Sequence, residues 1–161
     1  MGVYGSHKGD INSVEWGHIA KTSILSGGND GLLKLWDVSG KNSEAMSSFA
    51  GHLGPVYTAL WHPTHASIIG SCSQDKTFRV WDLRKNGAIK LIPAHSEEVL
   101  GFDFNKYENL VATSSSDNSI KLWDLRATTD HPLQILAGHE LPVKRVRFSP
   151  FSKHIIASCG L

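Results

Sequence analysis

The sequence predicts an all-β protein in which each repeated unit forms a four-stranded antiparallel blade of a β-propeller. Trp-Asp pairs ending at Asp37, Asp82 and Asp124 recur at a period of 42 to 45 residues. An aspartate lies six positions before each Trp, and a Ser or Thr lies four positions before that aspartate. A histidine precedes each Trp by 28 or 29 residues. A repeat of about 40 to 45 residues is the length of one propeller blade.

The four repeated side-chain types can form one hydrogen-bonded chain in each unit. The aspartate can accept from one imidazole nitrogen, the other nitrogen can meet the hydroxyl, and the hydroxyl can accept from the indole N–H. The spacing therefore favours structural tetrads that hold each blade together. The predicted tetrads are His7, Ser26, Asp30 and Trp36; His52, Ser71, Asp75 and Trp81; and His95, Thr113, Asp117 and Trp123.

The matching positions divide the chain into units of residues 7–50, 51–93, 94–137 and 138–161. The last unit opens at His139 and contains only the first part of the pattern, ending two residues after Cys159. Because a propeller closes with about four to eight blades, we expect these roughly 3.5 blades to belong to a longer protein. A compact truncated isoform is the alternative.

Each unit predicts its strands in the same order. In the first strand, apolar residues recur at every second position, as in INSVEW, VYTALW, VLGFDF and VKRVRF. The second strand is short and rich in small residues. The third strand alternates again, and the fourth is poorly patterned, as expected of an exposed edge. Two apolar columns run through the first strands: Val14, Ala59, Phe102 and Val146, then Trp16, Trp61, Phe104 and Phe148.

Composition excludes several classes of function. A formal net charge of +1 argues against a general nucleic-acid binder, and the one basic cluster is Lys144, Arg145, Arg147 and Lys153. Cys72 and Cys159 occupy equivalent positions, which predicts core packing in a reducing cytosol rather than a disulfide or a zinc site. We expect no cofactor, no metal and no stable membrane insertion.

The N-terminus offers one modification motif. The opening MGVYGS matches a loose myristoylation pattern at Gly2 and Ser6. The alternative is that Met1 marks only a truncated or wrongly assigned start.

The Ser/His/Asp trio in each unit also invites a hydrolase interpretation. It recurs in every complete unit, no Gly-x-Ser-x-Gly elbow accompanies it, and its hydroxyl is committed to an indole. We therefore expect a binding protein and not an enzyme.

In a propeller, the loops that carry the histidine and the turn aspartate emerge at one end. Three positions per unit are predicted to face a partner there: three and five residues after the histidine, and one before the aspartate. Apolar groups at these positions could hold an amphipathic segment while acids meet a cation. The candidate binding residues are Asp10, Asn12, Asn29, Tyr57, Gln74, Glu98, Leu100, Ser116 and Lys144. Ordinary solvated loop is the alternative for each of them.

These columns resemble the WD-repeat pattern, and more specific blocks resemble one branch of it, the peroxisomal targeting signal type 2 receptors. The blocks lie between about His52 and Cys159 and include IPAH at 92–95, NKY at 105–107, WDLR at 123–126 and RVRFSPF at 145–151.

The resemblance implies a seven-bladed cargo receptor that shuttles between the cytosol and the peroxisome matrix. Such a receptor binds an N-terminal helical signal on matrix enzymes, together with a co-receptor peroxin, and delivers them to docking peroxins. The signal helix carries a basic residue, and the family's acidic position matches Asp10 and Glu98 here.

A second resemblance leaves a different adaptor function open. Trp81-Asp82-Leu83-Arg84 and Trp123-Asp124-Leu125-Arg126 resemble the Trp-Asp-x-Arg box of substrate receptors for cullin-type ubiquitin ligases. In that family the arginine helps to dock the ligase adaptor. The alternative is that Arg84 and Arg126 are solvated charges at strand ends.

Overall fold

The computed structural model describes residues 7–19, 21–39, 44–85, 87–128 and 131–161. Within these ranges the chain forms fourteen β-strands in four sheets. The first sheet contains β1 (Ile11–Trp16), β2 (Ser23–Gly28), β3 (Leu33–Asp37) and β4 (Ser47–Phe49). The second contains β5 (Val56–Trp61), β6 (Ile68–Ser73), β7 (Thr77–Asp82) and β8 (Ala88–Pro93). The third contains β9 (Val99–Phe104), β10 (Leu110–Ser115), β11 (Ser119–Asp124) and β12 (Gln134–Ala137), and the fourth contains β13 (Val143–Phe148) and β14 (Ile156–Gly160).

The sheets are antiparallel meanders arranged as part of a β-propeller, which confirms the predicted all-β fold. Each four-stranded sheet pairs its strands in sequence order, so β4, β8 and β12 are edge strands, as predicted. The first strands of successive sheets contact one another, so they form the inner side of the array. We call the three four-stranded sheets blades 1, 2 and 3, and the two-stranded sheet the fourth sheet.

Each turn between the second and third strands has the same backbone conformation. The residue after the turn aspartate has a left-handed φ: 74° at Gly31, 68° at Lys76 and 65° at Asn118. The aspartate stabilises the turn, since Asp75 Oδ1 accepts from the Thr77 backbone N–H at 3.1 Å and Asp117 Oδ1 does the same with Ser119. The turn aspartate therefore stabilises the backbone of its turn and also forms a hydrogen bond with the histidine.

The hydrophobic core lies between blades and not within them. Leu25 and Leu33 of blade 1 pack against Ala59, Ile69 and Trp81 of blade 2. Equivalent clusters lie between blades 2 and 3 and between blade 3 and the fourth sheet. Each sheet therefore depends on its neighbours for burial.

Gly70 shows how closely two blades approach. A Cβ atom at this position would lie 2.7 Å from Phe104 and 2.8 Å from Phe102 on the next blade. Only glycine fits without displacing these rings. This agrees with the small side chains predicted for second strands.

Two expectations about burial need correction. The predicted apolar columns are buried at Ala59 and Trp61, but Val14 is 61% and Trp16 is 57% exposed, because no described sheet packs on that face of blade 1. Cys72 is buried, whereas Cys159 is exposed rather than packed in a core. Cys159 lies on β14, the edge strand of the fourth sheet, which lacks the neighbours that cover Cys72.

The myristoylation motif at Gly2 lies outside the described residues. Among the residues that are described, no helix is long and apolar enough to cross a bilayer.

Candidate functional site

Each blade contains the hydrogen-bonded chain that the spacing predicts. In blade 2, His52 Nδ1 lies 2.8 Å from Asp75 Oδ2, His52 Nε2 lies 2.7 Å from Ser71 Oγ, and the Trp81 indole N–H donates to Ser71 Oγ at 2.8 Å. The corresponding atoms in blades 1 and 3 are 2.7 to 3.0 Å apart. In the fourth sheet, His139 Nε2 lies 2.9 Å from Ser158 Oγ.

The environment of the tetrads keeps their aspartates ionised. Burial alone would raise the pKa of Asp117, but hydrogen bonds from Ser119 and the nearby His95 outweigh it and lower that pKa to about 2. The pKa values of Asp30 and Asp75 are also lowered, because hydrogen bonds to each carboxylate outweigh its burial. Burial lowers the pKa of His95 despite the opposing effect of Asp117, which favours a neutral imidazole.

The tetrad hydroxyls are buried, and each accepts a hydrogen bond from an indole. Ser26, Ser71 and Thr113 are each at most 2% exposed and accept from an indole N–H. Among the described residues, no group of three or more His, Cys, Asp or Glu side chains is arranged to hold a metal ion. The chemistry of these side chains is therefore hydrogen bonding within the blade.

The residue five positions after each histidine lies in a β-bulge. Pairing between the first and second strands skips one residue in every sheet, and a bulge redirects the side chain of the extra residue. The extra residues are Asn12, Tyr57, Leu100 and Lys144. Of these extra residues, Asn12 and Lys144 are exposed, whereas Tyr57 and Leu100 are partly buried.

Backbone hydrogen bonds bring the other two predicted positions together. The N–H of the residue before the turn aspartate donates to the carbonyl of the residue three after the histidine. The distances are 2.9 Å for Asn29 to Asp10, 3.0 Å for Gln74 to Pro55 and 3.0 Å for Ser116 to Glu98. We call the surface formed by the nine candidate binding residues the loop face.

Side chains on the loop face form two hydrogen-bonded groups. In the first, Asn12 Nδ2 donates to Asn29 Oδ1 at 2.8 Å and Asn29 Nδ2 donates to Asp10 Oδ2 at 3.3 Å. In the second, the Tyr57 hydroxyl and the Gln74 amide of blade 2 both donate to Glu98 of blade 3, each at 3.0 Å.

Sequence reasoning selected the three residues of the second group but not their contact. No spacing in the sequence relates the side chains of one blade to those of the next. Leu100, Ser116 and Lys144 take no part in either group of side-chain contacts among the described residues.

The loops at this end are acidic. The histidine loops and the turns between second and third strands contain seven carboxylates and two lysines in residues 7–10, 29–32, 52–55, 74–76, 95–98, 116–118 and 139–142. Of the two lysines, Lys76 lies 3.4 Å from Glu97. No described cation forms an ion pair with Asp10 or Glu98.

Two residues of the basic cluster noted in the sequence form ion pairs with carboxylates. Arg147 Nη1 lies 3.3 Å from Asp103 Oδ1, and Lys153 Nζ lies 2.7 Å from Glu108 Oε1. Nearby on the inner strands, burial raises the pKa of Glu15 to about 7, although Arg147 opposes this. The cluster therefore presents less free positive charge than its sequence indicates.

The two Asp-Leu-Arg segments have a common geometry. Arg84 Nη2 lies 2.7 Å from Asp82 Oδ2, and Arg126 Nη2 lies 2.9 Å from Asp124 Oδ2, with a second contact through each Nε. The arginine side chains are 73% and 69% exposed. They are thus solvated, as the alternative interpretation expects, but also paired within their own blades.

Fold and tetrads together define a propeller-type scaffold built from repeated blades. The family model for the WD domain, G-beta repeat, matches residues 1–37, 43–82, 87–124 and 130–161. The chain belongs to the WD40 repeat family.

A curated relative, Nuclear distribution protein PAC1 of Komagataella phaffii (strain GS115 / ATCC 20864), is 34% identical over 93% of this chain. The match covers 32% of that protein, so the chain spans about a third of the relative's length. This relative is not a peroxin, and the comparisons support the WD-repeat assignment without supporting the narrower peroxin assignment.

Proposed function

We propose that the loop face binds a helical peptide segment that carries a basic residue. The observation that carries this proposal is the pair of carboxylates at Asp10 and Glu98, which have no cationic partner among the described residues. In an acidic loop region, a carboxylate without a cationic partner attracts a cationic ligand. The hydrogen bonds that it then forms are stronger than those between neutral groups, because both partners are charged. Tyr57 and Leu100 supply apolar surface beside these acids.

The more specific form of this proposal is a receptor for the type 2 peroxisomal targeting signal. Its support is the resemblance of the blocks between Ile92 and Cys159 to that family. The cargo would be matrix enzymes with an N-terminal helical signal, and the partners a co-receptor peroxin and docking peroxins. The receptor would shuttle between the cytosol and the peroxisome matrix.

Fluorescence anisotropy with a labelled helical targeting peptide tests this function on the full-length protein, with and without the co-receptor. Asp10→Lys and Glu98→Lys each place a like charge opposite the peptide cation, and we expect each to weaken binding by about 10-fold or more. Glu44→Lys is the matched control, because Glu44 is an exposed acid in the turn before β4, away from the loop face. Equal affinity for all four proteins, or no binding with the co-receptor present, contradicts the proposal.

A ubiquitin-ligase substrate receptor or a related WD-repeat scaffold is the second candidate function. The exposed and similarly held guanidinium groups of Arg84 and Arg126 favour it. Replacing both arginines with alanine should abolish pull-down of the ligase adaptor if this function is correct. Under the peptide-receptor proposal, the same double variant should bind the targeting peptide normally.

A further inference from the structure

Glu98 is held by donors from a neighbouring blade. The Tyr57 hydroxyl donates to Glu98 Oε2 and the Gln74 amide donates to Glu98 Oε1, both at 3.0 Å. Both donors are neutral, so they restrict the orientation of the carboxylate without placing a positive charge beside it. The contact crosses the boundary between blades 2 and 3.

The backbone around this contact fixes both donors. Tyr57 is the extra residue of the β5 bulge, and the next residue, Thr58, donates its hydroxyl to the Leu100 carbonyl of β9 at 3.1 Å. The Gln74 N–H donates to the Pro55 carbonyl at 3.0 Å. A side chain held in one orientation before binding loses less conformational entropy when a ligand arrives.

Asp10 is less restrained than Glu98. Its one side-chain donor among the described residues is Asn29, at 3.3 Å, and its contacts on the loop face lie within blade 1. Asp10 is exposed, whereas Glu98 is partly buried. Solvent screens an exposed charge more strongly, so the attraction of Asp10 for a cation is weaker.

We propose that Tyr57 and Gln74 are positioning residues that orient the Glu98 carboxylate to accept a guanidinium or ammonium group, making Glu98 the main cation acceptor of the loop face. This inference rests on the proposed peptide-binding function. It adds that recognition of the cation depends on the packing of blade 2 against blade 3. An oriented carboxylate suits the planar fork of arginine better than the single ammonium of lysine.

A double-mutant cycle in the full-length protein tests the positioning role. The targeting peptide carries arginine, lysine or neutral norleucine at its basic position, and the protein carries Tyr57 or Tyr57→Phe. We expect Tyr57→Phe to weaken binding of the arginine peptide by about 3- to 10-fold, the effect of losing one hydrogen bond to a charged group, and to change norleucine-peptide binding by less than about 2-fold. Tyr107→Phe is the control, because the Tyr107 hydroxyl donates to the Pro150 carbonyl away from the loop face. An equal loss for all three peptides indicates a merely structural role and overturns the proposal.

Titration of Tyr57, followed by NMR of its ring carbon, separates this inference from the peptide-binding function. Burial raises the pKa of Tyr57, and the Glu98 carboxylate raises it further. Glu98→Gln should therefore lower the Tyr57 pKa. An unchanged titration shows that the contact is absent and overturns the positioning role even if the peptide binds. A lowered pKa without cation-dependent peptide binding defeats the proposed function instead, and with it the recognition role of Glu98.

Discussion

Blades 1 and 2 have nearly the same local structure but very different burial. Their tetrads have the same hydrogen bonds, and in both turns the residue after the aspartate has a left-handed φ. Yet Trp61 is 5% exposed, whereas the equivalent Trp16 is 57% exposed. The repeat pattern therefore determines the conformation of a blade, while the neighbouring blade determines what each apolar side chain contributes to stability.

Replacing Trp81 by alanine should give the largest effect. The indole is fully buried and packs against blade 1, so we expect a loss of about 3–5 kcal/mol in the free energy of unfolding. Trp16→Ala, on the open face of blade 1, should cost less than about 1 kcal/mol. Chemical denaturation monitored by circular dichroism measures both, and similar losses at the two positions would show that burial by the neighbouring blade is not decisive.

Removal of a tetrad hydroxyl should give the next largest loss in the free energy of unfolding. Ser71→Ala leaves the Trp81 N–H and His52 Nε2 without their partner, at a cost of about 1–3 kcal/mol. Asp75→Asn should be milder than Trp81→Ala, because asparagine keeps an acceptor oxygen for its neighbours.

Ser26→Ala in blade 1 provides the comparison. Ser26 lines an open cavity beside Ile11 and Val14, where water can replace the lost hydrogen bonds. We expect a smaller loss than for Ser71→Ala in thermal melts. A larger loss in blade 1 would contradict the importance of neighbouring blades.

Acid should destabilise the tetrads in two stages. The folded pKa of His95 lies below its ordinary value of 6.5, and that of Asp117 falls from 3.8 to about 2. For each group the unfolded state binds protons first, so stability is lost as pH falls below 6.5 for His95 and between about 4 and 2 for Asp117. Melting temperatures across this range measure the effect. Asp117→Asn should reduce the lower stage and, because Asp117 opposes the lowering of the His95 pKa, should extend the upper stage to lower pH; an unchanged profile would refute the assignment.

The smallest effect is expected at Trp61. Its indole N–H is buried without a hydrogen-bond partner among the described residues, and phenylalanine occupies the equivalent positions 104 and 148. Trp61→Phe should therefore change stability by no more than about 1 kcal/mol, since the smaller ring leaves space but removes an unsatisfied donor. Trp81→Phe should cost more, because Trp81 donates to Ser71. Comparison of the two variants by urea unfolding distinguishes a position that requires an indole from one that requires only an aromatic ring.

Much of the candidate site could be predicted because its geometry is local to one repeat. The spacing of His52, Ser71, Asp75 and Trp81 leads directly to their hydrogen bonds, since strand pairing within a blade fixes those distances. The contact of Tyr57 with Glu98 could not be predicted in this way. Its two residues lie 41 positions apart in different blades, and the register between blades comes from packing and not from strand pairing.

The repeat, the first strands, the edge strands and the members of each tetrad follow from the sequence, because strand alternation and turn chemistry act over a few residues. The packing of blades against one another determines which apolar residues are buried, which basic residues are paired and how Glu98 is held. These properties depend on the face that a neighbouring blade presents, and burial and charge pairing across that boundary are set by three-dimensional packing.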